Sequence, residues 1–310
     1  MARATSLAYL ECEVPDLAKT EAFYRDFGLF SAGGDERTLY LRAAGTAPYV
    51  HVFRRAERPR FAGAAFEVAS RAELDALAAL EGSGPVELLA GPGGGWRVAM
   101  RTPDGFSIAA VWGREPAAPM QVRAAHDFNS ASRKQRIGRN LRIAPGPEAA
   151  LRLGHFVLHV TDQAQAARWF AERLEMIASD HLCVPGDPET VVGSFLRLNG
   201  KGESVDHHSL LVVSSPNLGV HHCAYEVQDL DSVMASHDYL LQRGYRLDVG
   251  VGRHLLGSQI FDYWIDPDGF RVEHYTDGDL VDDSHVPSRF AGTADQTTQW
   301  GARPSPDFFD

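Results

Sequence analysis

Three residues of the types that bind transition metals, His155, His222 and Glu273, lie in the second half of the chain. Two imidazoles and one carboxylate can occupy one face of a metal ion and leave its other coordination positions open. An open set of this kind favours oxygen chemistry at non-heme Fe(II) over a structural zinc site, which is closed by four protein ligands. The three residues therefore predict a catalytic metal centre.

The two halves of the chain are copies of one pattern. The matching segments are Val14-Pro15-Asp16 with Val160-Thr161-Asp162, Ala65-Phe66-Glu67-Val68 with Ala224-Tyr225-Glu226-Val227, and Thr102-Pro103-Asp104-Gly105-Phe106 with Asp266-Pro267-Asp268-Gly269-Phe270. In this alignment Tyr9, Gly63 and Ala109 stand where His155, His222 and Glu273 stand. A repeat this long indicates duplicated domains, not a solenoid. Only the second copy is predicted to do chemistry.

Each half predicts a strand, a helix and several further strands, with that order repeated inside the half. Asp16 and Asp162 predict amino-terminal caps for helices at Leu17–Phe27 and Gln163–Leu174. A further helix is predicted at Leu230–Arg243, entered through Asp229 and ended by Gly244. The predicted strands are Ser6–Val14, Leu153–Val160, Leu196–Leu198, Ser209–Val213, Cys223–Val227, Ile260–Ile265 and Phe270–Tyr275.

These elements divide the chain into four predicted parts. Residues 1–115 form an amino-terminal domain without metal ligands, 116–146 a linker, 147–280 a catalytic domain, and 281–310 a tail. The tail is polar but contains Phe290, Trp300, Phe308 and Phe309, so we expect it to dock on its own domain or on a neighbouring subunit. The expected fold class is α+β, with two tandem domains.

Composition excludes several classes of function. The chain has 310 residues, 44% of them hydrophobic, and its net charge of −11 follows from 30 basic and 41 acidic side chains. This charge argues against general binding to nucleic acid or to an anionic membrane. The sequence has no apolar run of the roughly 20 residues that span a bilayer and no signal-peptide core at its start, so we expect a cytoplasmic protein. Three widely spaced cysteines, Cys12, Cys183 and Cys223, predict neither disulfides nor a thiolate zinc site.

The motifs around the candidate ligands resemble a known family over nearly the whole chain. They are Gly154-His155-Phe156-Val157-Leu158, Val220-His221-His222-Cys223-Ala224, Gly252-Arg253-His254, and Tyr263-Trp264-Ile265-Asp266-Pro267-Asp268-Gly269 with Glu273. Together they look like the type I extradiol ring-cleavage dioxygenases of the vicinal oxygen chelate superfamily. That resemblance implies a glyoxalase-like fold of paired βαβββ modules in each domain. It also implies a homo-oligomer, since the family is usually multimeric.

The resemblance assigns roles that the residue pattern alone leaves open. Because side chains alternate across a strand, only one of His221 and His222 can face a given pocket, and the sequence does not choose between them. The resemblance implies His222, with Fe(II) held by His155, His222 and Glu273; Mn(II) is the other metal we consider. It further implies that His208 is an acid–base group and that His254 and Tyr263 hydrogen-bond the substrate's oxygens.

The predicted reaction is the insertion of both atoms of O2 into a catechol-type diol, with cleavage of the ring beside the hydroxyls. A catechol loses at least one proton when it chelates a metal, and histidine, with a pKa of about 6.5, can accept that proton near neutrality. Phe195, Leu255, Leu256 and Ile260 are candidate pocket residues, and their apolar character favours a substituted or bicyclic ring. We assign no role to His207, His221, His274 or His285, and expect His159 to pack or hydrogen-bond locally.

Two alternatives stay open at the level of the sequence. One is a metal-dependent isomerase or thiol transferase of the same superfamily, although such proteins commonly use ligands from paired modules and the first half has none. The other is a non-catalytic protein that binds small molecules. Metal content and dependence on oxygen would separate the first from the dioxygenase, and His222→Ala would test the second.

Overall fold

The computed structural model describes residues 2–309, which form two large mixed sheets and one two-stranded sheet. Met1 and Asp310, at the outer ends of the predicted first domain and of the predicted tail, lie outside the described residues. The predicted α+β fold of two tandem domains is confirmed.

The amino-terminal sheet has eight strands in the order β2-β3-β4-β1-β5-β8-β7-β6. Two βαβββ modules meet in it at β1 and β5, which pair antiparallel. The elements are β1 Ala4–Val14, α1 Leu17–Asp26, β2 Phe30–Gly34, β3 Thr38–Arg42, β4 His51–Arg55, β5 Arg60–Val68, α2 Arg71–Ala78, β6 Glu87–Leu88, β7 Trp96–Arg101 and β8 Ser107–Trp112.

The carboxy-terminal sheet repeats this plan around β9 and β14 and extends it at both edges. Its ten strands run β19-β10-β11-β13-β9-β14-β17-β16-β15-β20, while β12 and β18 form the small sheet. The elements are β9 Arg152–Val160, α3 Gln163–Leu174, β10 Ile177–Val184, β11 Asp187–Arg197, β12 Val205–Asp206, β13 Leu210–Ser214, β14 Gly219–Glu226, α4 Leu230–Gln242, β15 Arg246–His254, β16 Ile260–Ile265, β17 Arg271–Thr276, β18 Leu280–Val281, β19 Ser288–Phe290 and β20 Thr298–Gly301, with a 3₁₀ turn at Ala294–Thr297.

The helices begin at the capping residues that the sequence predicts. The side chain of Asp16 accepts hydrogen bonds from the amides of Ala18 and Lys19, and Asp162 does the same at the start of α3. Asp229 accepts from the amide of Ser232 and so caps α4. An aspartate at this position satisfies amides that have no partner inside the helix. The helices α1 and α4 end one residue before the predicted bounds.

The two sheets share one apolar core. Phe156, Leu158 and Val160 of β9 are fully buried on the face of the second sheet that turns toward the first domain. Phe66 of β5 packs against Phe156 and Phe170, with ring centroids 6.2 Å apart in each pair. The opposite face of β9 carries His155, Val157 and His159, because successive side chains point to opposite sides of a strand. That opposite face forms the floor of the candidate site.

The segment predicted as a linker contains no helix or strand and is tied to both domains by hydrogen bonds. The amides of Ala117 and Met120 donate to the carbonyls of Thr46 and Ala44. Arg123 then donates to Glu148, at the start of the second domain, and to Asp229, at the start of α4. Within residues 2–309, no helix has the length and apolar character that crossing a membrane requires.

Candidate metal centre

Three neighbouring strands bring the predicted ligands onto one face of the second sheet. Ala224 of β14 pairs with His155 of β9 on one side and with Glu273 of β17 on the other. His222 lies two positions before Ala224 and therefore shares its face. In the first sheet, Ala65 pairs with Tyr9 and with Ala109 in the same way. The alignment of the two copies is thus reproduced by the pairing of their strands.

The three side chains converge around one point. Nε2 of His155 and Nε2 of His222 lie 3.2 Å and 3.4 Å from Oε2 of Glu273. One ligand atom from each of the three residues lies within 4.8 Å of the others. Bonds of about 2.1 Å to a common ion place adjacent ligand atoms roughly 3 Å apart, so the observed spacing suits one ion.

The electrostatics of the site also fit a cation. Glu273 is completely buried, and neither carboxylate oxygen has a hydrogen-bond partner among residues 2–309. Burial alone would raise the pKa of Glu273, but the neighbouring His155, His222 and His254 hold that pKa well below its ordinary value. Burial lowers the pKa of His222 to about 4, so its imidazole stays neutral at pH 7. An ionised carboxylate beside the neutral imidazole of His222 is a donor set that a divalent ion would complete.

The prediction that His221 points away from the site is wrong. Its Nδ1 lies 2.6 Å from Nδ1 of His222, and the two ring centroids are 4.9 Å apart. The pairing of β14 with β9 shifts register between Val220 and His222, and such a bulge breaks the alternation on which the prediction rested. Nε2 of His221 lies 2.6 Å from the carbonyl oxygen of Phe308 and 2.5 Å from Nη1 of Arg271.

The three predicted catalytic side chains surround the candidate ligands. The ring of His208, just before β13, lies 4.3 Å from that of His155. Tyr263 pairs with Glu273 across β16 and β17 and therefore faces the same side of the sheet. Nε2 of His254, at the end of β15, lies 2.9 Å from the hydroxyl of Tyr263 and 3.8 Å from Oε1 of Glu273.

A cavity with an empty volume of about 430 Å³, including its mouth, opens over this group. Phe195 and Leu256 line it as predicted, whereas Ile260 does not: it lies on the side of β16 opposite Tyr263. Leu255 is largely exposed. Further lining residues, which sequence reasoning missed, are Val157, Leu182, Leu211, Gln259, Thr297 and Phe309. The alternation of β9 could have indicated Val157; nothing local marks Phe309 from the distant tail.

The corresponding region of the first domain is filled by side chains. Tyr9 and Tyr49 have ring centroids 5.0 Å apart, and the guanidinium of Arg114 lies over Tyr49 at 4.3 Å. Arg114 donates to the carbonyl of Tyr49 and to the carboxylate of Glu67. Burial raises the pKa of Tyr9 to about 12, so its hydroxyl is not a ready anionic ligand.

Three further histidines that the sequence analysis names have structural partners. His274 stacks on Phe27 with centroids 3.7 Å apart and donates from Nε2 to the Phe27 carbonyl, which joins the two domains. His285 contacts the carbonyl of Ser179 through Nε2. The local hydrogen bond expected for His159 is present, between its Nδ1 and the carbonyl of Asn217 at 3.1 Å. Cys223 is buried and 4% exposed, as expected of a small apolar residue.

Comparison with known proteins supports the fold and the family. The model of the Glyoxalase/Bleomycin resistance protein/Dioxygenase superfamily matches residues 152–274. Metapyrocatechase 2 of Cupriavidus necator is 28% identical over 96% of this chain and 88% of its own length. The iron-dependent extradiol dioxygenase of Rhodococcus jostii strain RHA1 is 26% identical over 96% of each chain. Biphenyl-2,3-diol 1,2-dioxygenase of Pseudomonas sp. strain KKS102 is 30% identical over 48% of each.

Solved structures share the architecture along nearly the whole chain. The Mn(II)-bound glyoxalase from Novosphingobium aromaticivorans superposes with a TM-score of 0.79 at 24% identity, covering 99% of this chain and 94% of its own. The substrate complex of homoprotocatechuate 2,3-dioxygenase from Brevibacterium fuscum gives 0.80 at 21% identity, covering 99% and 92%. These likenesses establish the fold.

The second half of the chain contains a domain of the Glyoxalase/Bleomycin resistance protein/Dioxygenase superfamily, and the first half repeats its fold. Relatives similar to this chain over 96% of its length include a metapyrocatechase and an iron-dependent extradiol dioxygenase, which confirms the resemblance drawn from its motifs.

Proposed function

We propose that the protein is an Fe(II)-dependent extradiol dioxygenase that cleaves a substituted or bicyclic catechol beside its two hydroxyls. The observation that carries this proposal is the buried set of His155, His222 and Glu273, whose carboxylate has no hydrogen-bond partner among the described residues. Two histidines and one carboxylate with open positions are characteristic of Fe(II) oxygenases. Iron is further supported by the name of the Rhodococcus relative.

The residues around the ligands supply binding and proton transfer. A bound ferrous ion would pass single electrons between the diol and triplet dioxygen, a reaction that a closed-shell ring does not undergo readily by itself. His208 would take the proton from one diol hydroxyl as the substrate binds. Tyr263, whose pKa is raised by burial and by Glu273, keeps its proton and can donate a hydrogen bond to a substrate oxygen. Nε2 of His254 would donate a hydrogen bond to the hydroxyl oxygen of Tyr263 and so hold that side chain in place.

The cavity wall supports an apolar substrate ring. Val157, Leu182 and Leu211 form one apolar patch, and Phe195, Leu256 and Phe309 pack against or within it. Ligand sites typically combine an apolar wall with a few convergent polar groups, as this cavity does. The names of the biphenyl-2,3-diol relatives support a bicyclic diol for this chain.

The test is a screen of catechols with protein loaded anaerobically with Fe(II). On admission of air we expect visible ring-fission absorbance, uptake of one O2 per diol, and both atoms of ¹⁸O2 in the product. Parallel samples with Mn(II) and Zn(II) identify the metal. Binding of catechols without any ring-fission product would refute the proposal, and activity with Zn(II) in the absence of oxygen would favour an isomerase.

His222→Ala removes a proposed ligand and should abolish both iron binding and ring fission. The matched control is Asp262→Asn, which alters another fully buried polar residue on a nearby strand. Asp262 contacts His237 and Trp264 on the side of β16 opposite Tyr263. We expect this control to affect stability without abolishing iron binding.

A further inference from the structure

His207 is a buried residue that connects the cavity to a carboxylate behind it. It is 3% exposed, and its two ring nitrogens have different partners. Nε2 lies 2.8 Å from Oδ2 of Asp180, and Nδ1 lies 3.0 Å from Nδ1 of His208. These two contacts indicate a role for His207, to which the sequence pattern assigns none.

Asp180 is fixed so that only one of its oxygens faces His207. The backbone amide and the hydroxyl of Ser288 both donate to Oδ1, at 2.6 Å and 2.7 Å. These donors come from β19, which pairs with β10 at Asp180 and Ser288. Burial would raise the pKa of Asp180, but the hydrogen bonds from His207 and Ser288 lower it below its ordinary value. Asp180 is therefore ionised at neutral pH and can only accept hydrogen bonds.

An acceptor at one end sets the direction of the hydrogen bonds along a row of neutral imidazoles. Since Asp180 accepts, Nε2 of His207 must carry a proton. In a neutral imidazole the other nitrogen is then an acceptor, so Nδ1 of His207 accepts from Nδ1 of His208. His208, neutral in its turn, has its lone pair on Nε2. His208 lines the cavity beside His155.

We propose that Asp180 and His207 are positioning residues that hold His208 in the tautomer with a proton on Nδ1 and a free lone pair on Nε2. This inference rests on the proposed function, in which His208 accepts a substrate proton. In that step a diol O–H bond breaks and an Nε2–H bond forms, which leaves a monoanionic diol and a cationic His208. In that cation Nδ1 of His208 still donates to His207, whose Nε2 donates to Asp180.

The other interpretation of these residues is a metal site. Asp180, His207 and His285 each offer a ligand atom within 4.8 Å of the others. However, both oxygens of Asp180 already accept hydrogen bonds, and Nε2 of His285 lies 2.9 Å from the carbonyl of Ser179. The hydrogen-bond partners of this cluster are complete without an ion, whereas the oxygens of Glu273 have no hydrogen-bond partner within residues 2–309.

The decisive variant is Asp180→Asn, which keeps the shape of the side chain and reverses the direction of the hydrogen bonds that lead to His208. Ser288 still donates to the amide oxygen, so the amide nitrogen faces His207 and donates to its Nε2. His207 must then carry its proton on Nδ1 and donate to His208, whose own proton moves to Nε2. The lone pair that should accept the substrate proton is lost. Ser288→Ala is the matched control, because it removes one donor to Asp180 and leaves the carboxylate in place.

The first measurement needs neither metal nor activity. Long-range ¹H–¹⁵N spectra of metal-free protein report which ring nitrogen carries the proton, with His208 assigned by comparison with His208→Asn. We expect the proton on Nδ1 in the wild type and in Ser288→Ala, and on Nε2 in Asp180→Asn. A wild-type His208 protonated on Nε2 would overturn the proposal, even if the Asp180 variant failed to fold.

The second measurement uses the iron-loaded enzyme. Asp180→Asn should lower kcat about 10²-fold, within the range that general acid–base groups contribute, and change KM little. Equal kcat values for Asp180→Asn and Ser288→Ala would contradict the proposal. If the wild type cleaved no catechol while His208 carried its proton on Nδ1, the proposed function would fail and the assignment of Asp180 and His207 would stand.

Discussion

Glu273 carries its charge in a place where no described residue donates a hydrogen bond to it. An isolated buried carboxylate is costly unless a cation compensates it. Asp262 lies on β16, the strand next to that of Glu273. It is equally buried, but it contacts His237 and the indole of Trp264. The contrast between these two acidic residues on neighbouring strands separates a ligand from a structural group.

Glu273→Gln should therefore weaken iron binding more than it weakens the fold. The amide keeps the volume but removes the charge, so we expect a loss of affinity of about 100-fold or more, beyond the 10–100-fold typical of residues that only orient ligands. Metal titration measures the affinity, and the midpoint of thermal unfolding without metal measures the fold. Equal iron affinity in the wild type and in Glu273→Gln would contradict the assignment of Glu273 as a ligand.

Gly154 is required by a neighbouring strand, not by its own conformation. A Cβ atom at this position would lie 1.9 Å from the hydroxyl oxygen of Tyr275, whose ring is 5.2 Å from that of His155. Gly154→Ala should lower the free energy of unfolding by about 1–3 kcal/mol, as overpacking in a core does. Urea denaturation measures this loss. Gly250→Ala is the control, since a Cβ there would meet Ala302 at an ordinary 3.4 Å, and it should not destabilise the protein.

At the scale of elements, the amino terminus of α4 holds the connecting segment to the second domain. Asp229 caps the helix and also accepts from Arg123 and from the amide of His126. Burial would raise the pKa of Asp229, but these hydrogen bonds lower it to about 2. One carboxylate thus serves both the helix and the attachment of the preceding chain.

The stability that this attachment contributes should fall at acidic pH. Asp229 has an ordinary pKa of about 3.9 when unfolded, so its contribution to stability is complete above that pH and is lost as the pH falls toward 2. The difference in unfolding free energy between the wild type and Asp229→Asn should therefore shrink over this interval. Urea denaturation from pH 6 to pH 2 tests it. Asp162→Asn, at a helix cap that the described contacts tie to no arginine, should show a smaller change.

Regular elements were predictable where local patterns decide them. The caps at Asp16, Asp162 and Asp229 set the starts of three helices, and the alternation of β9 sets its buried face. The hairpin of β10 and β11 was predicted only at Leu196–Leu198, because Asp187–Thr190 at its tip is polar and exposed. A strand that projects from its sheet buries neither face and so lacks the alternating pattern.

At the scale of the whole molecule, the last described residues complete the site. Phe309 lines the cavity, and the carbonyl of Phe308 contacts His221, which in turn contacts His222. The aromatic residues of the tail predict docking. They do not predict that Phe308 contacts His221, 87 residues earlier, because tertiary packing decides such a contact. Asp180 was missed for the same reason, whereas the alternation of β16 already places Ile260 on the face opposite Tyr263.

Deletion of residues 305–310 should weaken iron binding. The Phe308 carbonyl contacts Nε2 of His221 and so helps to hold the His221 ring against Nδ1 of His222, whose Nε2 faces the proposed metal. Loss of such an orienting contact typically costs 10–100-fold in affinity. Equilibrium dialysis of iron measures it. Phe308→Leu keeps the carbonyl and should bind iron as the wild type does; equal affinity in the truncated protein would contradict the role of the tail.

The backbone at Gly63 has a consequence for engineering. A Cβ atom there would lie 2.4 Å from the carbonyl oxygen of Ser107. Grafting the triad onto the first copy as Tyr9→His, Gly63→His and Ala109→Glu would consequently not create a second reaction centre. A redesign that aimed at two reaction centres would first have to rebuild the pairing of β5 with β8, because side-chain exchange alone leaves no room at Gly63.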